Sequence, residues 1–305
     1  MDPKAAEEML HVRLRVPSGW EETLTWCLQQ EGWGAVIAEQ AFPSGILEGE
    51  APPRCPKAFL TLVCEPSLAE RFNTRMRQLA QAFGWGPGSW SAGFELRRGE
   101  DWETLWRKRW RPFRCGAFVI HADFHDRASL PLRAADRPLQ VQAGSAFGTG
   151  GHSSTRMALR ALQRWFAEGR PARVLDLGTG SGILAVAAAL LGAERVAGMD
   201  PDPASAPQAR RTAAANGVAG RCRFWRGVLE SVCGRWDVVC ANLHSDLIVA
   251  SAAFLADRCA PGGRLFAGGI LDLNRSRTLT ALEAAGFQLE RLAQRGRWIT
   301  AELRR

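Results

Sequence analysis

The chain has 305 residues and a formal charge of +8 at pH 7, with 46% hydrophobic and 23% charged side chains. This balance excludes a disordered or collagen-like chain, and the length predicts two domains. No apolar run approaches the ~20 residues of a membrane-spanning helix, and the N-terminus MDPKAAEEML lacks the basic start of a secretion signal, so we expect a cytoplasmic protein.

The first hundred residues alternate short apolar runs with amphipathic stretches. The resulting order, β-α-β-β-α-β, is typical of a small ferredoxin-like α+β domain, which we assign to residues 1–100. We expect its strands at Leu10–Val16, Ala35–Glu39, Phe59–Cys64 and Ser91–Arg97, and its helices at Trp20–Gln30 and Leu68–Phe83.

Residues 1–100 carry 10 basic and 13 acidic side chains, a net charge of −3. The first predicted strand, HVRLRV, has no aromatic side chain on which a base could stack. We therefore expect no direct binding of nucleic acid, either by this domain or by the chain as a whole.

Residues 101–112 read DWETLWRKRWRP and place three tryptophans four residues apart, which predicts a linker helix with one apolar face. The basic side chains around the other faces fit a helix packed on a domain, and a contribution to a substrate surface is the alternative.

Residues 113–305 form the second predicted domain, in which strands and helices alternate from residue 172 onward. This alternation predicts a doubly wound, Rossmann-like parallel sheet of seven strands, closed by a hairpin of the last two. We expect the strands at Arg173–Asp176, Arg195–Met199, Cys222–Trp225, Val238–Ala241, Arg264–Ala267, Gln288–Leu292 and Ile299–Glu302.

The segment VLDLGTGSGILA is a strand followed by a glycine turn and a helix, with glycines at 178, 180 and 182. Glycines allow the backbone to approach a bound cofactor, and the helix N-terminus adds free amides. Ile183 stands where a nicotinamide-type motif needs its third glycine, which disfavours a dehydrogenase. Asp200 ends the next strand, where its carboxylate can accept hydrogen bonds from the two ribose hydroxyls of an adenosine cofactor.

Two further segments add to this site. Residues 146–162, AFGTGGHSSTRMALRAL, are a glycine-rich loop that leads into an amphipathic helix with Ser153 or Ser154 as N-cap. The segment DVVCANL ends a strand at Asn242, at the edge of the sheet where doubly wound folds bind ligands. Asn242 is either a turn former or an acceptor of hydrogen bonds from a substrate amine.

The eight cysteines and five histidines are scattered, without a CxxC pair or metal-ligand spacing. We expect reduced thiols and no metal site.

Taken together and in order, the segments AFGTGGHSSTR, LDLGTGSGILA, MDPDP, AANGV, ANLHSDL, APGGRLFAGGIL and EAAGF resemble the ribosomal protein L-eleven methyltransferase family. The resemblance extends over nearly the whole chain. It implies a class I methyltransferase that transfers methyl groups from S-adenosylmethionine to lysine side chains or the N-terminal amine of that large-subunit ribosomal protein. Residues 1–100 would recognise the protein substrate, and we expect a monomer.

The resemblance also implies the site residues. The cofactor contacts fall on Phe147 and Thr155 in the loop, on the glycine turn at 178, 180 and 182, on Asp200 and on Asn242. We expect Asn242 and the backbone carbonyl of Leu243 to accept the hydrogens of the substrate amine, and His152 and His244 are the alternative bases.

Two alternatives remain open at this point. Cofactor motifs do not specify the acceptor, which leaves a methyltransferase acting on another protein or on RNA. The stretches GGHSST and NLHS depart from the family pattern, which leaves a module that binds S-adenosylmethionine without turning over.

Overall fold

The computed structural model describes residues 8–17, 20–31, 33, 35–39, 57–98, 110–142, 150–169 and 172–305. The chain forms two compact units, which divide between Trp110 and Arg111.

The described residues of the first unit form a four-stranded antiparallel sheet, in the strand order β2-β3-β1-β4, and two helices. This is the order of a ferredoxin-like domain, as the sequence predicts. Its elements are β1 (Glu8–Pro17), α1 (Glu21–Gln30), β2 (Ala35–Glu39), β3 (Lys57–Cys64), α2 (Ala69–Ala82) and β4 (Ser91–Arg98).

The core of the first unit follows from the alternation along β1. Leu10, Val12, Leu14 and Val16 are buried on one face, where they meet apolar side chains of β3 and of both helices, such as Phe72. This one-sided burial fixes the strand register, because a slip of one residue would turn every apolar side chain outward.

The second unit contains a seven-stranded sheet in the order β10-β9-β8-β11-β12-β14-β13. The strands from β10 to β12 are parallel, and β13 and β14 form the predicted antiparallel hairpin. The strands are β8 (Arg173–Leu177), β9 (Arg195–Asp200), β10 (Cys222–Arg226), β11 (Trp236–Asn242), β12 (Cys259–Leu271), β13 (Gln288–Arg295) and β14 (Trp298–Arg304).

Helices cover both faces of this sheet, as a doubly wound connection requires. They are α3 (Ser153–Ala167), α4 (Ile183–Leu191), α5 (Ser205–Ala215), α6 (Ser245–Ala250), α7 (Ala252–Arg258) and α8 (Arg275–Ala284). The last three helices and the sheet share one buried apolar cluster. It includes Ile248, Leu255 and Leu282 from the helices and Leu175 and Ala267 from the sheet.

The structure differs from the sequence prediction in one small sheet and at the end of the predicted linker. Strands β5 (Phe113–Cys115), β6 (Phe118–Ala122) and β7 (Arg137–Val141) form a separate three-stranded sheet that we did not predict. They are short, and Pro138 stands within β7, a composition that argues against a strand. The predicted linker helix over 101–112 lies outside the described residues up to 109, and residues 110–112 are not helical.

Candidate active site

The candidate site lies at the carboxyl ends of β8 and β11, which are neighbours at the centre of the large sheet. The order of the strands along the chain reverses between them, and open α/β sheets bind ligands at this kind of switch point. Gly178 follows β8 and Asn242 ends β11. The two motifs predicted from the sequence are therefore side by side.

Backbone hydrogen bonds hold the glycine turn in place. The amides of Gly178 and Thr179 both donate to the carbonyl of Met199, at 2.9 and 3.0 Å. The amide of Gly180 donates to Oδ2 of Asp200 at 2.8 Å, and Oδ1 accepts from the amide of Asp202 at 2.9 Å. Asp200 thus ties the turn to β9, and its carboxylate still has lone pairs for further donors.

Two of the three glycines in the turn pack closely against other parts of the protein. A Cβ on Gly178 would lie 2.5 Å from Cδ2 of Leu243, and a Cβ on Gly182 would lie 2.7 Å from Cβ of Ala209 in α5. Their spacing in the sequence indicates the approach of a cofactor. The structure adds a second reason, since the turn itself packs against α5 and against the residue after Asn242.

A buried carboxyl group lies beneath the turn. Oδ2 of Asp176 accepts hydrogen bonds from Oγ1 of Thr179 at 2.7 Å and from the amide of Ala185 at 3.2 Å. Burial raises the pKa of the Asp176 carboxyl from its ordinary value to about 7, and the nearby charge of Asp200 acts in the same direction. These bonds connect β8, the turn and the first helical turn of α4.

The side chain of Asn242 contacts the start of α3. Its Nδ2 donates to Oγ1 of Thr155 at 3.4 Å, and Thr155 is the third residue of α3 rather than part of the preceding loop. Oδ1 of Asn242 is buried and has no hydrogen-bond partner among the described residues. A buried carbonyl oxygen without a donor is costly, so this atom is a candidate for receiving a substrate N–H.

Thr300 is a further candidate for this site, and no sequence pattern indicates it. A Cβ on Gly268 would lie 2.8 Å from Oδ1 of Asn242 and 3.1 Å from Oγ1 of Thr300, so these two oxygens converge on one glycine. Thr300 is 1% exposed, and its hydroxyl also lacks a hydrogen-bond partner among the described residues. A threonine inside a strand-forming stretch gives no functional signal, because threonine is common in strands.

His152 is the N-cap residue of α3, which corrects the expectation that a serine caps this helix. Nδ1 of His152 accepts from the amide of Ser154 at 3.3 Å, and the ring packs edge-on against Trp298 at 4.6 Å. Burial lowers the pKa of His152 to about 4, which keeps the ring neutral. His244 is the N-cap residue of α6, and burial lowers its pKa as well. The capping bond gives His152 a structural role.

The arrangement fits a nucleoside cofactor with a reactive group beyond it. The turn presents backbone amides at the start of a helix, Asp200 offers a carboxylate, and Asn242 offers an unpartnered carbonyl oxygen. Phe147 lies outside the described residues. Within the described ranges, no group of three or more His, Cys, Asp or Glu side chains could hold a metal ion. A search of the same ranges for a helix long and apolar enough to cross a membrane finds none.

The chain is similar to known proteins over nearly its whole length. The family model for ribosomal protein L11 methyltransferase (PrmA) matches residues 8–305. The ribosomal protein L11 methyltransferase of Pelotomaculum thermopropionicum is 34% identical and aligns with 97% of this chain and 99% of its own length. That of Thermus thermophilus is 41% identical over 66% of this chain and 76% of its own.

A solved structure agrees with these relatives. A ribosomal protein L11 methylase from Lactobacillus delbrueckii subsp. bulgaricus superposes with a TM-score of 0.56 and 28% identity, over 62% of this chain and 93% of that one. The chain belongs to the ribosomal protein L11 methyltransferase family.

Proposed function

We propose that this protein transfers methyl groups from S-adenosylmethionine to amines of ribosomal protein L11, namely lysine side chains, the N-terminal α-amine or both. The observation that carries the proposal is the unpartnered carbonyl oxygen of Asn242, which lies beside the glycine turn in a chain of this family. We place the reaction in the cytoplasm and expect the chain to act as a monomer.

S-adenosylmethionine supplies a methyl group on a positively charged sulfur, which is already a good leaving group. The protein therefore has to bind the two reactants, align them and exclude water. In this proposal Asp200 accepts hydrogen bonds from the ribose hydroxyls, and the glycine turn provides backbone amides and room for the cofactor. Thr155, at the start of α3, contacts the cofactor, and the family resemblance assigns a cofactor contact to Phe147 as well.

The amine must be neutral before it can attack. A lysine ammonium has a pKa near 10.4, so its deprotonation at pH 7 costs about 4–5 kcal/mol, at ~1.36 kcal/mol per pKa unit. We assign Oδ1 of Asn242 and the backbone carbonyl of Leu243 to accept the remaining N–H groups, which aims the lone pair at the methyl carbon. We assign the departing proton to water, because Nδ1 of His152 accepts the capping bond and burial lowers the pKa of this ring to about 4, which makes it a weak base.

The first test is incubation of the purified protein with labelled S-adenosylmethionine and free ribosomal protein L11. Intact-mass and fragment analysis should show gains in steps of one methyl group, located on amines. If calorimetry shows that the cofactor binds and no gain appears, the acceptor is a different molecule or the chain has lost catalysis.

The substitution Asn242→Ala tests the site. We expect turnover to fall on the order of 100-fold, because the amine is no longer aimed, while the affinity for the cofactor changes little. Initial rates at saturating cofactor and calorimetric titration measure the two effects. Asn274→Ala, at the N-cap position of α8, is the matched control, and an Asn242→Ala rate equal to that of the control would rule out the assignment.

A further inference from the structure

A cleft lined by arginines lies between α3 and the edge strand β13, within the second unit. It has a volume of about 320 Å³. Five arginines contribute to its lining: Arg156, Arg160, Arg164, Arg291 and Arg295.

The geometry of the two elements explains why these side chains meet. Arg156, Arg160 and Arg164 recur every fourth residue, which places them along one face of α3 at a rise of ~6 Å between neighbours. Arg291 and Arg295 are four residues apart on β13 and so project from the same face of the strand. The cleft is thus lined by a row of arginines on each of these two elements, and we call these five residues the track.

One described carboxylate, that of Glu302, is shared by two of these arginines. Glu302, on the neighbouring β14, forms an ion pair with Arg164 and lies 3.9 Å from Nε of Arg291. Arg295 is half-buried, and no hydrogen bond or ion pair joins its side chain to another described residue. A guanidinium that is partly withdrawn from water beside other cations favours the binding of an anion.

Part of the track is fixed before any ligand binds. Nη2 of Arg156 donates to the carbonyl of Arg114 at 2.8 Å, and its guanidinium lies over the ring of Phe113 at 4.8 Å from the ring centre. An arginine held in this way loses little conformational entropy on binding a ligand. Arg156 directly follows Thr155, so the track begins next to the candidate active site.

We propose that this cleft binds the phosphodiester backbone of RNA. Guanidinium forks match phosphate oxygens in bidentate geometry, and arginines arranged along one helix are the electrostatic signature of a nucleic-acid surface. Residues 101–305 carry 29 basic and 18 acidic side chains, a net charge of +11, which suits a dense polyanion better than a mixed protein surface. None of the residues that we assign to methyl transfer lines this cleft, so RNA binding here is a proposal separate from the proposed function.

The expectation that the chain does not bind nucleic acid rests on residues 1–100, which carry net negative charge. The cleft belongs to the other unit. The alternative occupant, an acidic peptide, is distinguished by the experiment.

The experiment measures binding of a fluorescein-labelled 12-nucleotide oligouridylate to the full chain by anisotropy, over a range of salt concentrations. The double variant Arg291→Gln, Arg295→Gln should weaken binding and reduce the salt slope by about 1.4, because each phosphate that an arginine neutralises on a single strand adds ~0.7 to the slope. The matched control is Arg195→Gln with Arg223→Gln, which removes two exposed arginines from β9 and from β10 at the opposite edge of the sheet.

The proposal holds if the cleft variant binds RNA more weakly and with a smaller salt dependence than the unaltered chain, and the control variant matches the unaltered chain in both. It is overturned if the two variants behave alike, if the unaltered chain does not bind the oligonucleotide, or if an oligoglutamate of equal charge displaces the RNA at equal or lower concentration. None of these readings depends on methyl transfer, so failure here leaves the proposed function in place.

Discussion

Gly268 lies close to two buried oxygen atoms, Oδ1 of Asn242 and Oγ1 of Thr300. Because glycine has no side chain, both atoms can approach its Cα. The substitution Gly268→Ala would put a methyl group 2.8 Å from Oδ1 of Asn242, so the amide has to move. A displacement of this size at a positioning group should lower the methylation rate on the order of 10- to 100-fold. Initial rates with ribosomal protein L11 measure the effect.

The control for this variant is Gly220→Ala, because a Cβ at Gly220 meets nothing within 4 Å. It should leave the rate unchanged. If Gly268→Ala is as active as Gly220→Ala, the position of the Asn242 amide does not limit the reaction.

The Asp176 carboxyl should make stability depend on pH. Its pKa is raised from 3.8 to about 7 by burial, so the folded chain binds a proton that the unfolded chain has lost between these values. Its contribution to the free energy of unfolding is therefore complete below pH 4 and falls by up to about 1.4 kcal/mol per pH unit as the pH rises to 7. Asp176→Asn should abolish this contribution.

Urea unfolding at a series of pH values, with a reductant to protect the thiols, measures the difference between Asp176→Asn and the unaltered chain. The His152 pKa of about 4 acts with the opposite sign between pH 4 and 6.5, but it is present in both proteins and cancels. A difference that does not change with pH would show that Asp176 is ionised in the folded state.

At the level of elements, α4 has a left-handed glycine at each end, and the two serve different purposes. Gly182 has φ +81° and would place a Cβ 2.7 Å from Ala209, whereas Gly192 has φ +110° and would meet nothing within 4 Å. Gly192→Ala should therefore lower the free energy of unfolding by roughly 1–2 kcal/mol, which is the strain of a left-handed backbone at alanine. Gly182→Ala should cost a further ~1–3 kcal/mol, because α4 and α5 are forced apart.

Denaturant unfolding of the two variants measures this difference. Equal losses of stability would mean that α5 moves aside without cost, and the close approach of the two helices would then not be a constraint on the fold.

Elements with a strong hydrophobic period were predictable from the sequence, whereas contacts between distant residues were not. The alternation in β1 and the apolar run of α4 indicate their structures directly. The ladder of β5 to β7 was missed because β5 has only three residues and β7 contains Pro138, which argues against a strand. Thr300 was missed for a different reason: its proximity to Asn242 depends on the pairing of β14 with β12, and no local pattern encodes it.

At the scale of the whole molecule, the division at Trp110 and Arg111 separates two units with their own cores. We predict that a fragment of residues 111–305 binds S-adenosylmethionine with the affinity of the full chain. It should methylate ribosomal protein L11 roughly 100-fold more slowly or worse, because it lacks the binding energy that the first unit supplies.

Calorimetry with the cofactor and rates with ribosomal protein L11 test the two halves of this prediction. Full activity of the fragment would mean that the second unit recognises the substrate alone, contrary to the role we assign to residues 1–100.

The pairing of β12 with β14 shifts between Ala267 and Ile270, so that Gly268 and Gly269 together lie opposite Thr300. Ala267 and Ile270 are three residues apart, yet both belong to the same buried cluster, because the shift restores the alternation of faces. Deletion of one of these two glycines from the gene would therefore leave the core side chains on their present faces, whereas deletion of Phe266 would exchange them. The register shift is therefore a β-bulge at which β12 can lose one residue while the fold is kept. The same deletion would alter the active site, because Gly268 lies next to Asn242.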